Sequence, residues 1–122
     1  MAIPSRLMGS GLAPLASVNI CGDVADTLTA AGTTNADALA LSAAINRVTT
    51  TAASTGVRLM LPESGSSVVV INSGANALLV YPGTGASINA LTATTGGFSV
   101  GAGGRALFVG TSSANWFAVL SA

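Results

Sequence analysis

One thiol, four carboxylates, four cations and a few glycine clusters are where this sequence could carry chemistry. The thiol is Cys21, the acids are Asp23, Asp26, Asp37 and Glu63, and the cations are all arginine: Arg6, Arg47, Arg58 and Arg105. There is no histidine and no lysine, so the usual base near neutral pH and the usual Schiff-base amine are both missing. A serine nucleophile would find no partner base, and a Cys21 thiolate would depend on an arginine or a helix terminus. The chain is therefore expected not to be an enzyme.

Asp23 and Asp26 sit three residues apart and could share a cation with Asp37 or Glu63. A hard cation needs about six oxygen ligands in a defined loop, and DVADTLT matches no such loop, so the expectation is no metal and no cofactor. The glycine clusters GSG at 9–11, GTG at 83–85 and GAGG at 101–104 lack the spacing and the lysine of a phosphate-binding loop and read as turns. Four dispersed arginines in a chain of zero net charge provide no basic stripe for nucleic acid.

What remains for these side chains is contact with other proteins. Hydrophobic residues make up 50% of the 122-residue chain and charged residues only 7%, far below the roughly quarter share that keeps an ordinary domain soluble. Such a surface is best protected inside a permanent assembly. Disorder is excluded because disordered chains are poor in apolar residues. A membrane span is not expected, because the apolar runs VVVI and ALLVY are split by NSGAN and fall short of the roughly 18 residues required. Pro4, Gly9, Gly11 and Pro14 interrupt the first segment too often for a secretory leader. The lone Cys21 agrees with synthesis in a reducing cytoplasm.

The elements that must position these groups divide the chain in two. Residues 1–34 show no sustained period and read as an extended arm, whose apolar Ile3, Leu7, Leu12, Leu15, Val18 and Ile20, with Arg6, would lie on a partner surface. Residues 35–122 read as a single β-domain. The stretch 35–50 fits a helical stripe and a strand alternation alike, and the β-branched RVTTT run tips it to strand. Further on, GVRLMLP, SVVVIN, ALLVYP, FSV, RALFVG and NWFAVLS are short strands separated by Gly, Pro, Asn and Ser. That spacing predicts an antiparallel β-sandwich, jelly roll or barrel. SVVVIN and ALLVYP, joined by SGAN, read as a hairpin over 67–82. The turns differ in length and chemistry, so a coiled repeat is not expected. The aromatic Tyr81, Phe98, Phe108, Trp116 and Phe117 are expected to build or seal the core, and Arg47, Arg58 and Arg105, together with Tyr81 and Trp116, are candidate oligomer-interface residues.

The succession TTNADALALSAAINRVTTTAASTGVRL, VVVINSGANALLVYPGTGASINAL, FSVGAGGRALFV and SANWFAV resembles small structural proteins of tailed bacteriophages. The resemblance implies a virion component, and for a short chain a capsid decoration, or cement, protein. Its partners would then be copies of itself, as a homotrimer, and the major capsid protein of a phage head, on whose outer surface it would sit. The 1–34 arm would clasp the shell and the β-domain would form the oligomer. A second reading is a small trimeric tail-fibre or receptor-binding module that recognises a glycan through exposed Tyr81 or Trp116.

Overall fold

The computed structural model describes residues 3–121, and the chain is mainly β. Two short helices open it: α1 (Pro4–Gly9) and α2 (Pro14–Cys21). Ten strands follow: β1 (Val24–Thr29), β2 (Leu39–Ala40), β3 (Ile45–Thr50), β4 (Gly56–Arg58), β5 (Ser67–Asn72), β6 (Leu78–Tyr81), β7 (Ser87–Ile88), β8 (Phe98–Val100), β9 (Arg105–Gly110) and β10 (Asn115–Leu120). They form a six-stranded sheet in the order β1-β3-β5-β9-β10-β7 and a four-stranded sheet in the order β2-β4-β6-β8.

The expectation of an antiparallel sandwich, jelly roll or barrel is corrected in one essential respect. From β1 to β6 the chain alternates between the two sheets, so β1, β3 and β5 pair parallel in one, and β2, β4 and β6 pair parallel in the other. The segment is a short coil, despite having no repeated turn motif. Only β8, β9 and β10 add antiparallel neighbours, β7 pairs parallel with β10, and no barrel closes. The expected 67–82 hairpin is likewise absent, because β5 and β6 belong to different sheets. In the 35–50 stretch the strand reading holds at β2 and β3.

The physical reason for the missing hairpin is Asn72, which is fully buried. Its side-chain amide donates to the carbonyls of Asn76 (2.8 Å), Val100 (3.0 Å) and Gly101 (3.2 Å). Its Oδ1 accepts from the Thr51 hydroxyl and the Gly74 N–H, both at 3.0 Å. Asn76 in turn donates to the Thr51 carbonyl at 2.9 Å. SGAN is therefore a corner that carries the chain from one sheet to the other, pinned by an amide whose partners come from the loop after β3, from SGAN itself and from the end of β8.

The core lies between the sheets. Val48, Val70, Phe108 and Trp116 from the larger sheet meet Val57, Leu78, Val80 and Val100 from the smaller, all with 0% exposure. Phe98 and Phe108 pack edge to face with ring centroids 5.6 Å apart, a favoured aromatic geometry.

The expectation of an extended arm over 1–34 is also corrected. Each of the two helices begins on a proline, whose fixed φ and missing N–H suit a first helical position. Gly22 ends α2 with φ +91° while its N–H bonds to the Val18 carbonyl. β1 then joins the larger sheet beside β3 with two register shifts, and Thr27 within it has φ +56°.

Candidate functional site

The first surface to consider is the outer face of the six-stranded sheet. Side chains alternate along a strand, and on β3, β5, β9 and β10 the inward set is the core: Asn46 and Val48, Val68 and Val70, Ala106 and Phe108, Trp116. The outward set is expected to be polar in a sheet with one solvated face, and it is only partly so: Arg47, Thr49, Ser67 and Arg105 flank an aliphatic row. Val24 pairs with Ile45, Ile45 with Val69, Val69 with Leu107, and Leu107 with Val119. One aliphatic row thus crosses five strands, with Phe117 beside Val109 next to it. Val24 and Val119 are 64% and 63% exposed and Phe117 is 50% exposed.

The second surface is the helical pair. α1 and α2 pack on each other and bury only Ser17, whose hydroxyl donates to the Ala13 carbonyl at 3.0 Å. Of the predicted partner-binding residues, Leu15 is 81% and Ile20 61% exposed; Ile3, Arg6 and Val18 are exposed, and Leu7 and Leu12 are half-buried. An open cleft of about 450 Å³ separates the end of α2 from the larger sheet, lined by Asn19, Ile20, Cys21, Ile45, Ser67 and Val69. The helices therefore stand off the sheets with Leu15 and Ile20 in solvent.

The predicted interface residues fall in different places. Arg47 is exposed on β3, and its Nη1 donates to Asp26 Oδ1 at 2.9 Å. Arg105 is exposed on β9. Arg58 is half-buried and donates to the Asn35 carbonyl at 3.1 Å. Tyr81 is buried with its hydroxyl donating to the Thr33 carbonyl at 2.8 Å, and Trp116 is fully buried with its indole N–H unpartnered. Neither ring is available to stack on a sugar, which removes the aromatic platform of the glycan reading.

The three aspartates are each engaged locally. Asp23 accepts the Ala44 N–H at 2.8 Å. The Arg47 guanidinium and then the Thr27 N–H hold the Asp26 carboxyl below its ordinary range. The Thr34 hydroxyl, followed by the Thr34 N–H, does the same for Asp37. Among the described residues no three His, Cys, Asp or Glu side chains converge as metal ligands, and no helix is long and apolar enough to cross a membrane.

The apolar outer sheet face was missed at the sequence level, although the signal was present. VVVI, ALFV and WFAVL are unbroken apolar runs on strands with only one covered face. No protein-family model, curated protein or solved structure matches the chain.

Proposed function

We propose that the protein is a virion structural component: a capsid decoration, or cement, protein. It binds the outer shell of a tailed-phage head as an oligomer, with the trimer implied by the resemblance as its simplest form. The observation that carries this reading is the standing-off helical pair. Leu15 and Ile20 lie in solvent at 81% and 61% exposure, and such apolar side chains are stabilised by docking on a partner. In this reading the partner is the major capsid protein.

No covalent step is involved. A protein that binds only the assembled lattice stabilises it by mass action. Several helical pairs on one oligomer make each later contact intramolecular, which raises avidity. The sparse charge supports the same reading, since a chain with so little of it gains from burial in an assembly.

The test is removal of residues 1–21, which stops short of β1 and leaves both sheets whole. The full chain and the truncated chain are each mixed with shells of the parent phage that lack this protein, and bound protein is measured by sedimentation and electron microscopy. The full chain should decorate the shells and raise their disruption temperature. A folded truncated chain should do neither, and equal decoration by both would sink the reading.

A further inference from the structure

We infer that the outer face of the six-stranded sheet is where copies of this chain meet one another. The inference rests on the shell reading for the existence of an oligomer and adds the surface that forms it, which is distinct from the helical pair and can be tested on the isolated protein.

The area is the first argument. Val24, Leu107, Phe117 and Val119 expose 64, 38, 50 and 63% of their surfaces. With the half-buried aliphatic residues between them they present on the order of 500 Å² of contiguous apolar surface, near the upper end of what a monomer leaves uncovered. A stable interface takes about 800 Å² from each partner, a little over half of it apolar. The face therefore supplies about the apolar share that one side of such an interface needs.

Shape and charge select the partner. A row of aliphatic side chains, each opposite the next on a twisted sheet, packs well against another sheet face about 10 Å away. An identical face has that character by construction. The charge on this side is one internally matched pair, Arg47 with Asp26, and the single Arg105. A strongly acidic or basic partner would find little complement there, whereas a second copy meets a surface as neutral as its own. The end of α2 overhangs the row only at Ile45 and Val69, across an open cleft, and the β9 and β10 part, with Leu107, Phe117 and Val119, is left uncovered by the chain's own helices.

The decisive measurement is the mass of the full chain in solution, by light scattering on a sizing column over a range of concentrations. The wild type should run as an oligomer. The double variant Leu107→Glu/Val119→Glu buries two carboxylates in any such contact and should associate at least about tenfold more weakly, a loss of about 1.4 kcal/mol or more. Leu15→Glu, on α2, should leave the mass unchanged. Far-UV circular dichroism checks folding. If the glutamates disturb the fold, Leu107→Thr/Val119→Thr keeps strand propensity and should still weaken association.

A monomeric wild type at every concentration would overturn the inference. So would a folded face variant that associates as tightly as the wild type, or dissociation by Leu15→Glu alone. An oligomer held by this face that leaves shells bare would remove the shell reading only, and a monomer that decorates shells would remove this inference together with the oligomer in that reading, leaving shell binding itself.

Discussion

The Thr51 hydroxyl donates to Asn72 Oδ1 at 3.0 Å inside a corner where neither side chain reaches solvent. Through this contact the residue that follows β3 is tied to the last residue of β5, its neighbour in the same sheet. The Asn72 amide extends the tie to the loop after β8. Asn72→Ala should therefore lower unfolding free energy by about 3 kcal/mol or more, because several buried carbonyls and one hydroxyl lose their partner together. Thr51→Val removes only the hydroxyl contact and should lower it by about 1–2 kcal/mol. Urea unfolding measures both. A double-mutant cycle with no coupling would show that the two groups act independently.

Gly56 occupies a place that no side chain can share. A Cβ there would lie 2.8 Å from Tyr81 Cε2 and 2.7 Å from the Leu79 carbonyl oxygen. Gly56→Ala should displace Tyr81 and break its hydroxyl bond to Thr33, lowering stability by about 2 kcal/mol or more. Gly101→Ala, where a Cβ meets nothing within 4 Å, is the matched comparison and should be near neutral. Thermal unfolding of the two variants decides the point, and equal melting temperatures would refute it.

Acid should weaken the fold through two carboxylates. Both Asp26 and Asp37 titrate lower in the folded chain than an ordinary aspartate, Asp26 because of Arg47 and Asp37 because of Thr34. The unfolded chain therefore takes up protons first as pH falls. Their contribution is complete above the ordinary aspartate range near pH 4 and is lost as pH drops through the depressed folded values. Melting temperature against pH should decline on that acid limb. Asp26→Asn and Asp37→Asn should each flatten it, and an unchanged acid limb in both variants would contradict the assignment.

Much of the secondary structure is legible in the residues. β-branched runs bounded by Gly, Pro, Asn and Ser mark β3, β4, β5, β6, β8, β9 and β10, because local propensity and tertiary pairing agree there. The route between them is not legible. Whether SGAN closes a hairpin or turns a corner depends on what Asn72 can reach, and Val100 and Gly101 are remote in sequence. The two helices escaped because neither is long enough to show a period, although Pro4 and Pro14 each mark a helix start. Tyr81 and Trp116 carried two expectations, core and interface; the core takes both, with Phe108, while Phe117 stays half exposed.

The crooked pairing of β1 has a consequence for the kinds of assembly open to the chain. A parallel coil that ended on a straight strand would offer its next rung to any neighbour, and copies could stack end on end without limit. Here the edge strand β1 has two register shifts, a residue at φ +56° and an aspartate held by Arg47, so at this edge of the six-stranded sheet an added strand would meet an irregular ladder.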